Sequence, residues 1–359
     1  VEAPFPPKGT SVGQHPRSSQ PLLLGDMILV GVALQVLATM CGTVGKQLLR
    51  CSKLVEGTRK AAWSHLALGT GLILNVLGGP VLEVAAYGQA PQTLLAPLSG
   101  LDVLWNILLV PYTLGERASL TQIVGCILLV AGTALTADAG PHTERPYTLD
   151  IMRERLLTRS ALTYIAVEVA LFLLGMTYVA RQPIGCRRRG FVLGCVAGGI
   201  GGNLFCMKAA ASLISVTWAG GLDYFLQVWT SNPLPLIVAG SAALIGASSA
   251  VLLAHAMREF DATMMVATYE GAFVISGCAS GVAVLGELDI VSPERRTLYT
   301  LGVFTIVAGV LAAQHHDPHR PSSRGFMTPV DSAAATGVMF SPPPVAAVSV
   351  PLLKAVVSP

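Results

Sequence analysis

Five charged side chains stand inside apolar runs of this chain: Asp102, Glu270, Glu168, Glu83 and Lys208. A charge at the centre of a bilayer costs about 2.5–3.5 kcal/mol on insertion scales, so such residues face a bundle interior or water rather than lipid. Carboxylates are the oxygen ligands that hard divalent cations take. Asp102 and Glu270 therefore read as parts of a cation path, with Glu83 nearer its mouth, and these three are the candidate metal ligands. Asn106, with Asn75 and Asn203, offers neutral oxygens, although interhelical hydrogen bonding is the usual employment of an intramembrane amide. Glu168 reads either as a path residue or as a salt-bridge partner of Lys208. Glu116 and Glu287, each in a Leu-Gly-Glu at the rim of an apolar run, read as caps or salt bridges at helix ends.

The elements that must position these groups follow from length and hydropathy. A hydrocarbon core about 30 Å thick needs about 20 apolar residues of helix. Segments that meet this lie at 22–45, 64–87, 92–113, 119–137, 160–180, 191–216, 234–257, 262–285 and 297–314. Asp102 falls at the middle of the third, Glu270 about a turn from the middle of the eighth, Glu168 in the fifth, Glu83 near the end of the second, and Lys208 in the sixth. Of 359 residues, 52% are hydrophobic and 12% charged, against about 25% charged in soluble domains, and the mean hydropathy is +0.62. The chain is thus expected to be an all-α integral membrane protein with about nine transmembrane helices and the bilayer as its first partner. Composition leaves a homo-oligomer open. A net charge of +3 in short clusters, without a basic face of interleaved aromatics, argues against nucleic acid. The seven cysteines have no CxxC spacing, so neither a zinc site nor a disulfide framework is supported. The absence of HExxH and GxSxG argues against an enzyme, and that of a P-loop against nucleotide hydrolysis.

The chain also repeats itself. At an offset of 171, Ala96 falls on Ala267, Gly100 on Gly271 and Leu114-Gly115-Glu116 on Leu285-Gly286-Glu287. After a six-residue insertion, Gly125 falls on Gly302 and Val130-Ala131-Gly132 on Val307-Ala308-Gly309. The division is a four-helix repeat at 22–137, loops and a linker helix at 138–190, and a second four-helix repeat at 191–314. An odd linker span turns the second repeat over, giving the inverted halves on which many transporters rock. Each half offers one acid near the shared midplane. Gly190, Gly194, Gly198 and Gly202 line one face of the sixth span, where missing side chains admit another helix. Gly78-Gly79-Pro80, Pro91 and Pro97 mark places where a helix breaks. Residues 1–21 read as a disordered segment that is no signal peptide, and 315–359, with His315, His316 and His319, as a disordered tail. Loops after odd-numbered spans carry 11 Lys and Arg, Lys46 first among them, against 6 after even ones, so the positive-inside rule puts the N-terminus outside and the C-terminus in the cytoplasm. Arg145, Arg153, Arg155 and Arg159 run against it.

The run from Ala85 to Leu135 resembles the NIPA-type magnesium transporters, a branch of the drug/metabolite transporter superfamily. The likeness lies in Tyr87, Ala90-Pro91-Gln92-Thr93-Leu94, Pro97-Leu98 and Glu116-Arg117, and continues through Met207-Lys208-Ala209 and Leu253 to Thr263. It covers residues 25–314. Where the family tends to carry a glutamate this chain has Pro80, and an acid stands at Glu83 instead; its second-half Thr-Pro is Ala267-Thr268, and Asp102 and Glu270 are peculiar to this chain. The resemblance implies nine spans and a transporter for magnesium or a related divalent cation in the plasma or endosomal membrane. Magnesium would be the transported ion, with no cofactor, and uptake would be driven by membrane potential through alternating access. The alternative is a superfamily relative that moves a small organic metabolite.

Overall fold

In lipid, a backbone without a partner strand can satisfy its polar groups only as helix, and helices with short joints are all that the described residues form. The computed structural model describes residues 20–55, 61–113, 119–143, 147–260 and 262–313. Glu116, Arg117, Arg145, His315, His316 and His319 lie outside them.

The first half comprises α1 (Gln20–Val55), α2 (Ala61–Ile73), α3 (Gly79–Tyr87), α4 (Gln92–Leu98), α5 (Leu101–Thr113) and α6 (Leu120–Ala139). A short α7 (Leu149–Leu156) leads to the linker helix α8 (Arg159–Arg181). The second half comprises α9 (Arg187–Gly201), α10 (Phe205–Ala219), α11 (Leu222–Ser231), α12 (Pro233–Glu259), α13 (Ala262–Ser280) and α14 (Pro293–Ala313). Eight described segments are long and apolar enough to cross a bilayer. The segment expected at 64–87 is not among them, although it is helical throughout. A π turn at Leu74–Gly78 interrupts it just before Gly79-Pro80. Proline has no N–H and crowds the carbonyl four residues back; the wider turn accommodates it, with Gly79 N–H reaching Leu74 O.

Two other spans are broken. The third parts at Ser99-Gly100 after Pro97, where the Ala96 carbonyl accepts both the Ser99 N–H at 3.2 Å and the Ser99 hydroxyl at 2.6 Å. The sixth, expected unbroken over 191–216, parts at Gly202-Asn203-Leu204. There the Asn203 Nδ2 donates to Gly199 O at 2.9 Å, competing with the helical ladder.

The two halves meet along α6 and α14. A Cβ on Gly132 would lie 2.7 Å from Ile306 N and 2.8 Å from Gly302 O, and one on Gly309 would lie 2.7 Å from Gly125 O. The repeat places Gly125 on Gly302 and Gly132 on Gly309; the fold sets Gly132 against Gly302 and Gly125 against Gly309. Each contact is therefore the image of the other. The helices run antiparallel about a local two-fold axis, as an upside-down second half requires.

Behind this seam lies the main core, which includes Tyr87, Leu95, Leu129, Leu204, Val274 and Ile306. In contrast, α8 exposes Leu171, Leu173 and Leu174, and α12 exposes Leu236, Ile237 and Leu244. Apolar faces of that extent mark a membrane-contacting surface. The chain is a multi-pass, all-helical membrane protein.

Candidate functional site

The site begins with a stripe on α1. Gln35, Thr39, Thr43 and Gln47 recur every fourth residue, lie on one face, and are all buried. They face α5. Trp105 Nε1 donates to Thr39 Oγ1 at 3.1 Å, Thr43 Oγ1 to Asp102 Oδ1 at 2.8 Å, and Gln47 Nε2 to Asn106 Oδ1 at 2.5 Å. Asp102 and Asn106, one turn apart, are thereby both fixed.

Lys46 leans from the same stripe. Its Nζ contacts Asp102 Oδ2 and lies 3.7 Å from Glu270 Oε1 on α13. By its place just after the first apolar run, Lys46 is expected to be a loop cation that orients that span. It is a helical residue instead, because α1 continues to Val55, and its ammonium stands between the two central acids. Side-chain exposure falls from 40% at Lys46 to 14% at Asp102 and 5% at Glu270. Acids from both halves thus converge on one ammonium. Glu83, on α3, stands beside Gln35 and within electrostatic range of Lys46 and Asp102. Gln35 Oε1 is buried without a hydrogen-bond partner. No group of three or more His, Cys, Asp or Glu side chains that could hold a metal ion occurs among the described residues. The arrangement suits a cation that keeps part of its water shell and meets one or two carboxylates.

Lys208 occupies a separate place. Its Nζ donates to Tyr87 O at 2.7 Å and Ala90 O at 2.9 Å, carbonyls at the C-terminal end of α3 and just beyond. Glu287 addresses the other side of the same elbow: its carboxylate accepts from Gln92 N (2.9 Å), Thr93 N (2.7 Å) and Thr93 Oγ1 (2.8 Å) at the start of α4. A cation thus sits at the negative end of one helix and an anion at the positive end of the next. Desolvation pushes the Glu287 carboxyl above the ordinary carboxylate range, against the pull of Lys208 and of these donors. Gln92 Nε2 donates to Gly277 O and Ser280 Oγ, each at 2.7 Å, and Tyr299 OH to Thr93 O at 2.7 Å, so the second half grips this elbow throughout.

The pairing of Glu168 with Lys208 is therefore replaced by other contacts. Lys208 turns to the α3–α4 elbow, whose carbonyls need a donor. Glu168, half-buried on α8, accepts from Ser276 Oγ at 3.4 Å. Its neighbour Tyr164 OH donates to Asn203 Oδ1 at 2.9 Å, beside the break between α9 and α10.

The glycine face of α9 packs on α13. A Cβ at Gly194 would lie 3.0 Å from Met265 Cε and Thr268 Cβ; at Gly198 it would fall on the Tyr269 carbonyl, and at Gly202 on that of Phe273. Gly190 is buried at the start of the same helix. This close approach sets the position of α13 and hence of Glu270. Lys46, Thr43, Gln47, Gln92 and Thr93 are absent from the sequence-derived site. The four-residue spacing of Gln35, Thr39, Thr43 and Gln47 was the available signal for the α1 face.

Probable magnesium transporter NIPA8 of Arabidopsis thaliana is 21% identical over 279 residues, covering 74% of this chain and 62% of that protein. Magnesium transporter NIPA4 of Homo sapiens is 24% identical over 237 residues, covering 66% and 57%. NIPA-like protein 2 of Homo sapiens is 23% identical over 288 residues, covering 79% and 72%. The chain thus spans under two thirds of the length of the first two. No solved structure matches it. The family profile described as Magnesium transporter NIPA matches residues 52–317, most of the chain and nearly all of its helices, and the chain belongs to that family.

Proposed function

We propose that this protein carries magnesium, or a closely related divalent cation, across a membrane by alternating access, with inward movement driven by membrane potential. The observation that carries the reading is the convergence of Asp102 and Glu270, one from each half, on a single point. Magnesium sheds water reluctantly and is bound through one or two carboxylates with several waters retained. A pair of largely enclosed acids, one from each half, answers that chemistry. The names of the relatives, magnesium transporters, point the same way. A divalent ion moving into a negative interior gains about 4.6 kcal/mol per 100 mV, twice the single-charge value.

Two ion pairs support the alternation of loops on which the orientation rests. Arg189 meets Glu259 at 3.0 Å, joining the ends after the fifth and seventh spans, and Arg155 meets Asp289 at 3.3 Å, joining those after the fourth and eighth. Without Lys46, which stands in the site, the odd loops still carry 10 Lys and Arg against 6, an excess that supports a cytoplasmic C-terminus and an N-terminus outside. The plasma membrane or an endosomal membrane suits that arrangement.

The test is magnesium uptake by purified protein in liposomes under an imposed inside-negative potential, with Asp102→Asn and Glu270→Gln alongside. Potential-dependent uptake that both variants lose is the expected result. Folded wild-type protein that moves no magnesium overturns the reading and favours an organic substrate.

A further inference from the structure

We propose that Lys46 is a tethered counter-cation, held between Asp102 and Glu270 when the transported ion is absent and displaced when a divalent metal cation binds. The inference rests on the cation-transport reading above and adds the device by which the site is emptied and filled. The ammonium contacts Asp102 Oδ2 and lies 3.7 Å from Glu270 Oε1, the space that an ion bridging the two acids would take. Ion and ammonium therefore exclude each other.

Three features make the ammonium the part that moves. Its side chain is half-exposed, whereas both carboxylates are largely enclosed, so it stands on the open side of the pair. Asp102 is held through its other oxygen by Thr43 Oγ1 at 2.8 Å and stays in place when Oδ2 is released. An ammonium on a four-carbon stem is a point charge without the fixed fork of a guanidinium, and it leaves a carboxylate readily.

Charge gives the exchange its purpose. Two ionised acids left bare at this depth would be expensive. With Lys46 in place one of their charges is offset, and with a divalent ion both are. The empty carrier thus keeps a compensated site while it reorients. Lys46 is needed for net uptake, in which the carrier returns empty, and not for exchange of one magnesium for another, in which it returns loaded.

The test compares magnesium binding to the 359-residue chain and its Lys46→Met and Lys46→Arg variants by titration calorimetry in lipid nanodiscs. If the ammonium occupies the pair nine-tenths of the time, its removal tightens apparent binding about tenfold. The forked guanidinium competes harder, and Lys46→Arg is expected to bind magnesium more weakly than wild type. Liposome assays of Lys46→Met should show net uptake lost and magnesium–magnesium exchange retained. A merely structural role for Lys46 would weaken binding in both variants; that result, or wild-type affinity in both, overturns the proposal while leaving transport by the wild type intact. Should Lys46→Met fail to fold, wild-type affinity in Lys46→Arg alone is enough to overturn it. Wild-type protein that neither binds nor moves magnesium overturns the transport reading as well.

Discussion

Replacing Glu287 by glutamine tests whether the elbow between α3 and α4 is held by charge. The carboxylate accepts from two backbone N–H groups and one hydroxyl, at 2.7–2.9 Å. A glutamine keeps one acceptor oxygen and turns an NH2 toward a backbone N–H that cannot accept from it. The Thr93 hydroxyl can rotate away; the backbone N–H groups cannot. A hydrogen bond to a charged group contributes about 1.5–3 kcal/mol, and an orphaned buried donor costs about 1–3 kcal/mol. Lys208 also loses the electrostatic attraction of Glu287. These effects overlap, so the expected loss is about 3 kcal/mol rather than their total. The assay is thermal unfolding in detergent, with Glu287→Gln, Thr93→Val and the double variant forming a cycle. Coupling of about 1.5–3 kcal/mol between the two sites is expected. The exposed Glu294→Gln, near the start of α14, is the control and should stay within about 0.5 kcal/mol of wild type. A Glu287→Gln protein as stable as that control would refute the account of the elbow.

Other expectations follow from single contacts. Gly198→Val drives a side chain onto the Tyr269 carbonyl and should cost about 1–3 kcal/mol or more, whereas Gly240→Val, with nothing within 4 Å of its Cβ position, should not destabilise; thermal melts compare them. Gly132→Val and Gly309→Val occupy repeat-equivalent positions in the seam and should destabilise by similar amounts in the same assay. Thr43→Val removes the 2.8 Å bond that anchors Asp102, worth about 1.5–3 kcal/mol, and should raise the magnesium concentration that half-saturates uptake. Ser119→Ala breaks a capping box with Gln122 at the start of α6 and should cost about 1 kcal/mol, read in the melt.

Much of the frame was legible because membrane helices announce themselves by length and apolarity, and because Gly125, Gly132, Gly302 and Gly309 carried the repeat. The break at Pro80 was legible for the same reason that proline breaks any helix. The break at Gly202-Asn203 was hidden, since glycine and asparagine also occur inside membrane helices and only the position of the Asn203 amide over Gly199 decides the matter. Asp102 and Glu270 stood out as acids in apolar runs. Lys46 did not, because a basic residue at the edge of an apolar run looks like an orienting loop charge until the helix is known to continue past it. The partners of Lys208 could not be read at all: they are backbone carbonyls of Tyr87 and Ala90, far away in the chain, and carbonyl partners leave no mark on residue type.

The seam of α6 and α14 obeys the two-fold relation, but the charges do not. At the offset that relates the third span to the eighth, Asp102 falls on Phe273 and Glu270 on Ser99. The scaffold is nearly indifferent to which half takes which shape, while the acids and Lys46 are bound to one assignment. If the halves exchange shapes to open the opposite face, the frame returns to an equivalent packing with its charges in a different environment. The two open forms then differ in energy and in their hold on a cation. A symmetric frame with lopsided electrostatics is biased: it loads more tightly on one face than on the other, and the sequence of its two acids, rather than the helices that bear them, sets the direction of that bias.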